Sequence, residues 1–305
     1  MNSNPHLREA PSDLAATRPS TGAWPFVGGC ALLGTIGIFV SEAHADPLTA
    51  TWFRCALGLL GLTLWITLRR QTRFLRLTRT TGPWVLTAGS LMVLSWGLFF
   101  ISIERVSTGV AIVLFHVQPM WVLILGALCL KESIGKRRVG AVLAAMFGLV
   151  LATGIAEHPA SGEARQGYWL GVVLCLVGAL CMACVTIIAR RLRDLPAGIL
   201  AWWQCAIGTM TVWIWPVQHG WPALGASWLW LAGLGIIHTG LAYTLMYSGM
   251  ARLDTARIAS FQFVYPAVAI FVDWLFFSQH VSSLQLTGIA VMSVAIWCAE
   301  RTPRR

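Results

Sequence analysis

Charge is scarce in this chain. Asp, Glu, Lys and Arg make up 11% of its 305 residues, and 57% are hydrophobic, against about 25% charged and about 45–50% apolar in soluble domains. So few charges cannot cover a soluble surface, which excludes a soluble enzyme or binding module. Acidic residues are scarcer still, 12 against 22 Lys and Arg, for a net charge of +10. Catalytic and nucleotide-binding signatures are also missing: no Walker A, HExxH or GxSxG pattern occurs. The 8 cysteines all fall in apolar runs, which excludes the framework of a secreted disulfide-rich domain. Cys181-Met-Ala-Cys184 has CxxC spacing but no second CxxC or nearby histidine, so it reads as packing. Glu42, His44 and Asp46 read as a solvated polar turn. Neither a metal nor a cofactor is called for.

What is present is apolar run after apolar run. Windows of about 20 residues, long enough to cross a bilayer core, fall at 24–41, 47–68, 83–103, 107–130, 138–156, 168–189, 197–216, 228–250, 256–277 and 281–299. This predicts an all-α integral membrane protein with ten transmembrane helices. The Ala43-His44-Ala45 stretch after the first run resembles a signal cleavage site. The run is long and its preceding tail barely basic, so helix 1 is expected to stay in the mature protein.

The basic residues orient these spans. With the N-terminus inside, all of the 22 Lys and Arg except Arg54, Arg105 and Arg165 fall in cytoplasmic loops or tails, as the positive-inside rule expects. The net charge therefore reflects topology and no nucleic-acid partner is implied.

An internal repeat divides the chain. RVSTGVAIVLFHVQP (105–119) recurs as RLDTARIASFQFVYP (252–266) at an offset of 147, and WFRCALG (52–58) recurs as WWQCAIG (202–208) at an offset of 150. Pro47 and Pro196 precede the second pair. The predicted organisation is a cytoplasmic tail (1–23), a five-helix repeat (24–156), an outside linker (157–167), a second five-helix repeat (168–300) and a cytoplasmic tail (301–305). Five helices per repeat force the halves into opposite orientations, an arrangement of transporters whose sites lie near the midplane.

With these motifs, including Arg54 in helix 2 and Pro119 and Pro266 in helices 4 and 9, the chain resembles the EamA family of the drug/metabolite transporter superfamily. The resemblance covers about residues 24–300. It implies an alternating-access carrier, often an exporter of amino acids or other metabolites, in a bacterial inner membrane. An acidic residue commonly closes helix 4 in that family and is present as Glu132. The matching position after helix 9 is Gln279, and both are attributed to packing at helix ends.

Candidate substrate-binding residues are those that put polarity at mid-depth. His116 and Gln118 lie about 13–17 Å along helix 4 at about 1.5 Å per residue, just before Pro119. Their counterparts Phe263 and Tyr265, with Gln262, stand just before Pro266. Each proline is expected to free a backbone carbonyl four residues back, near Phe115 and Gln262. Trp96 and Tyr243 are repeat equivalents in helices 3 and 8, His238 lies in helix 8, and Trp203 and Gln204 lie in helix 7. Arg54 and Asp273 are formal charges within spans, costly to insert unless paired or used. Asp273 is the candidate ion-pair partner or coupling group. By contrast Gly140, Ala144, Gly148 and Ala152 form a small-residue stripe on helix 5, expected to pack against another helix.

The reading is a secondary transporter, an exporter of a small amino-acid-like or amphipathic metabolite. Its partners are that small molecule and membrane lipid. The alternatives are an intramembrane enzyme acting on a lipid or lipid-linked group, and a channel.

Overall fold

The computed structural model describes residues 22–103, 105–106, 108–153, 167–276 and 282–300. The predicted tails and linker (residues 1–21, 157–166 and 301–305), Gln279 and the side chain of Asp273 lie outside the described residues. Every regular element described is helical. Eight helical rods are long and apolar enough to cross a membrane: α1 (Ala23–Ala43), α2 (Pro47–Leu68), α3 (Gly82–Ile103), α4 (Val110–Cys129), α6 (Tyr168–Arg191), α7 (Ala197–His219), α8 (Ala226–Met250) and α9 (Thr255–Phe276). The windows at 138–156 and 281–299 overlap the shorter helices α5 (Lys136–Ala152) and α10 (Ser283–Glu300). Helix α5 spends its first turn on Lys136, Arg137 and Arg138, which shortens its apolar stretch.

The ends of the helices follow local chemistry. Asp46 caps α2, accepting from Leu48 N and Thr49 N at 3.0 Å each, and Pro47 occupies the first helical position, where no N–H is needed. The same carboxylate accepts from Trp215 Nε1 at 2.7 Å, tying α2 to the end of α7. Partial burial pushes the Asp46 carboxyl up, but hydrogen bonds from Thr49, Trp215 and Leu48 outweigh it and hold it below its ordinary value. His44 ends α1 in the left-handed region at φ 48°. Glu42 thus lies in the last turn of α1 and not in the turn expected for it, while His44 and Asp46 are cap residues.

Several rods are broken within their span. Helix α1 breaks at Thr35, between Gly34 and Ile36. Helix α4 breaks at His116–Val117 and α9 at Gln262–Phe263, each just ahead of a proline that lacks the donor for the next rung. At the second break the carbonyl is not left free, because Gln262 O accepts from Tyr265 N at 3.3 Å. Helix α8 runs as a π-helix from Leu234 to Leu241, a rare form that often marks functional sites.

The main packed pairs are α5 with α10, α3 with α6, α1 with α8, α2 with α7, α2 with α8 and α3 with α7. Several of these contacts need glycine, those of α5 with α10 and of α2 with α8 among them. A Cβ on Gly148 of α5 would lie 2.7 Å from Gly288 O of α10, and one on Gly58 of α2 would lie 3.0 Å from Gly235 O of α8. Close backbone approach of this kind gathers dispersion contacts that lipid cannot match. Of the stripe on α5, Gly148 makes the contact, whereas a Cβ on Gly140 would meet nothing within 4 Å. Trp52, Phe53, Trp221 and Trp228 pack edge to face where α2 begins and α7 ends, with centroids 4.8 to 5.7 Å apart.

Candidate functional site

The breaks in α1, α4 and α9 and the α-helical end of α8, from Tyr243 to Met250, surround a cavity of about 420 Å³. Of the residues singled out by sequence, Arg54, Trp96, His116, Gln118, Tyr243, Gln262 and Tyr265 line it together. They come from α2, α3, α4, α8 and α9, so no single element builds the site.

Arg54 projects from α2 into the cavity. Its Nε donates to Thr239 Oγ1 at 2.7 Å, and Nη2 makes a long 3.4 Å contact to the Tyr243 hydroxyl. The guanidinium carbon stands 4.9 Å from the centroid of the Trp96 ring and 5.7 Å from that of Tyr243, a cation–π arrangement. Among the described residues no carboxylate pairs with Arg54.

The proline-linked breaks supply a second polar group. His116 Nδ1 lies 2.7 Å from Ile112 O, and since a carbonyl only accepts, Nδ1 carries a proton. In the neutral ring Nε2 is then an acceptor. The His116 ring stacks on Tyr265, with centroids 5.7 Å apart and planes 20° apart. Gln118 lines the cavity from the start of the second α4 segment. Gln262 Oε1 is buried without a hydrogen-bond partner among the described residues. A buried acceptor left so is costly unless a ligand or water meets it.

Three other candidates stand apart from the lining. Gln204 is 1% exposed, and its Oε1 accepts from the Tyr247 hydroxyl at 2.6 Å. His238 is fully buried under Phe39, with Nε2 2.9 Å from Thr35 Oγ1 and Nδ1 3.3 Å from Gly233 O. It therefore ties the π-helical stretch of α8 to the break in α1. Trp203 packs edge to face on Trp202 and leaves Nε1 buried without a partner among the described residues. Asp273 belongs to α9, but its side chain is outside the described residues.

Two stretches of the chain, residues 20–154 and 169–300, match the model of the EamA-like transporter family. The chain belongs to that family. This EamA-like protein is 25% identical over 293 residues to an uncharacterized transporter, YxxF, of Bacillus subtilis, covering 94% of this chain and 91% of that one. It is 26% identical over 229 residues to protein PecM of Dickeya dadantii, covering 70% and 73% of the two chains. A solved crystal structure superposes with a TM-score of 0.82 at 16% identity, across 92% of this chain and 98% of its own, a likeness of fold alone. The relatives and the apolar helices identify an EamA-like integral membrane transporter.

Residues that sequence reasoning passed over also shape the EamA-like site. Met182 and Thr186 of α6, Met246 of α8 and Gln285 of α10 line the cavity, and Thr239 holds Arg54 from behind. Small hydroxyls and methionines within apolar helices give no local signal. The cavity lining reaches Thr153, Trp274 and Gln285, where α5 and α9 end and α10 begins. At the opposite end, charged groups join the helices. Glu132 pairs with Arg190 and accepts from Thr255 N at 2.9 Å, and Arg138 pairs with Asp254 at 3.2 Å. Partial burial pushes the Glu132 carboxyl up, but hydrogen bonds from Thr255 and Arg190 outweigh it and hold it below its ordinary value.

Proposed function

We propose that this protein is a secondary transporter that exports a small amino-acid-like or amphipathic metabolite by alternating access, and that it is not an enzyme. The observation that carries the reading is the cavity, in which polar side chains from two proline-broken helices converge with Arg54. In a membrane, irregular backbone and polar groups are tolerated where they line a cavity, and carriers place their sites at such broken helices.

The proposed architecture is ten transmembrane helices in two inverted five-helix repeats, with both termini cytoplasmic, in a bacterial inner membrane. The packing supports it: exchanging α1–α5 with α6–α10 turns the α3–α6 pair into α8–α1 and the α2–α8 pair into α7–α3, all of them packed pairs. On that topology the cavity lining reaches the outer side, and the Glu132–Arg190 and Arg138–Asp254 pairs hold the inner side together. Transport would part those pairs while the outer side closes. The binding set is proposed to be Arg54, Trp96, His116, Gln118, Tyr243, Gln262 and Tyr265.

The test is to compare metabolites inside and outside cells with and without the protein, then to load purified protein in liposomes with the metabolite that changes. Saturable flux accelerated by substrate on the far side is the expected result. Flux that neither saturates nor shows that acceleration indicates a channel, and chemical conversion of the metabolite indicates an enzyme; either outcome overturns the proposal.

A further inference from the structure

The setting of Arg54 narrows the chemistry of the ligand, on the reading that the cavity is the substrate site. Gly58, one turn beyond Arg54, lets α2 meet the π-helical stretch of α8 backbone to backbone. A Cβ on Gly235 would lie 2.7 Å from Gly58 N. This approach brings Arg54 Nε within 2.7 Å of Thr239 Oγ1. The Thr239 hydroxyl spends its own proton on Leu234 O at 3.0 Å, the carbonyl five residues back that the π-helix presents. Its lone pairs therefore turn toward Arg54 as acceptors.

With Nε held, the orientation of the planar guanidinium is set. The edge carrying Nη1 and Nη2 remains, with the long contact to Tyr243 as its hydrogen bond among the described residues. Two parallel N–H donors on one edge match the two oxygens of a carboxylate, a fit that an ammonium cannot reproduce. The Trp96 ring lies against the guanidinium, and Phe99, Phe100 and Met246 continue an apolar wall. A cation in such a low-dielectric setting, with no carboxylate paired to it among the described residues, favours an anion that brings its own apolar body.

We infer that Arg54 recognises a carboxylate, that the ligand is an organic monocarboxylate with an aromatic or bulky apolar body, and that Thr239 of the π-helical stretch is the positioning residue that aims the guanidinium fork. Thr239 does not touch the ligand.

The experiment measures binding to the purified full-length protein in detergent, by calorimetry, for three probes of one shape: 3-phenylpropionate, 3-phenylpropionamide and 3-phenylpropylamine. The acid is expected to bind about 10- to 100-fold more tightly than the amide, the scale of a charge-assisted hydrogen bond, and the amine no better than the amide. Arg54→Gln brings the acid down to the affinity of the amide, and Arg54→Lys restores only part of the loss. Thr239→Val weakens the acid but not the amide, and Thr239→Ser restores it, a selectivity that general destabilisation does not produce. Equal binding of acid and amide, or failure of all three probes, overturns the inference. So does an unstable Arg54→Gln that Asp273→Asn rescues, since that marks Arg54 as half of a structural ion pair. Acid-selective binding without transport in liposomes leaves the carboxylate site standing and sinks the transporter reading.

Discussion

Glu132 caps the first turn of α9 from the far end of α4: its Oε2 accepts from Thr255 N at 2.9 Å, while Arg190 of α6 pairs with its other oxygen. One carboxylate thus satisfies an open N–H at a helix start and neutralises an arginine at a helix end. It joins α4, α6 and α9 at the end of the molecule opposite Trp274 and Gln285.

Because this carboxyl is held below its ordinary value in the folded protein, its contribution to stability is present above the unfolded value of about 4.3 and is lost as pH falls through the folded value. Melting of the detergent-solubilised protein should therefore drop on acidification below about pH 4.3, and Glu132→Gln should drop less over the same window. At neutral pH the variant should be less stable by about 1–3 kcal/mol. An unchanged melting temperature and an identical acid profile would remove Glu132 from the account of stability.

Orientation is testable with single cysteines in a background lacking the native exposed thiols Cys129 and Cys298. Ala223→Cys, between α7 and α8, should react with an impermeant reagent added to intact cells. Thr72→Cys, between α2 and α3, should react only after lysis. The opposite pattern would reverse the topology.

His116→Ala and Gln118→Ala are each expected to lower transport at least about tenfold at normal membrane levels, as loss of a buried polar contact to the ligand would. The control is Leu128→Ala, at a position 70% exposed on α4. Leu114 does not serve, because it packs against the cluster formed by Val106, Ala111 and Cys175. Full transport by both polar variants would leave FHVQP a packing motif.

Gln204→Ala should act on stability. It strands the buried Tyr247 hydroxyl, at a cost of about 1–3 kcal/mol, and should leave relative preferences among ligands unchanged. Altered ligand preference with unchanged melting would return Gln204 to the binding set.

The glycines of α5 should separate cleanly. Gly148→Ala places a methyl 2.7 Å from Gly288 O and should lower stability by about 1–3 kcal/mol. Gly140→Ala, with open space around it, should be neutral or stabilising by up to about 1 kcal/mol. Equal melting temperatures for the two variants would refute the close α5–α10 contact.

Much of the helix layout was legible in the chain, because hydrocarbon imposes one rule on every segment: satisfy the backbone internally and stay apolar for about 20 residues. That rule locates the rods. The prolines at 119 and 266 locate the breaks in α4 and α9, since a missing N–H acts on its own helix. Polar residues beside those prolines were visible for the same reason, as exceptions to an apolar background. Which face each helix turns inward was not legible. Lipid and neighbouring helices are both apolar, so a helix that is hydrophobic all round carries no pattern separating them. Arg54 and Gln204 occupy matching positions in WFRCALG and WWQCAIG, yet one lines the cavity and the other is sealed beneath Tyr247. The π-helical stretch of α8 passes close to α2 at Gly58 and Gly235, and the same stretch carries the buried His238 and the Thr239 that Arg54 reaches. Those contacts join residues some 180 positions apart, and only the packed helices bring them together.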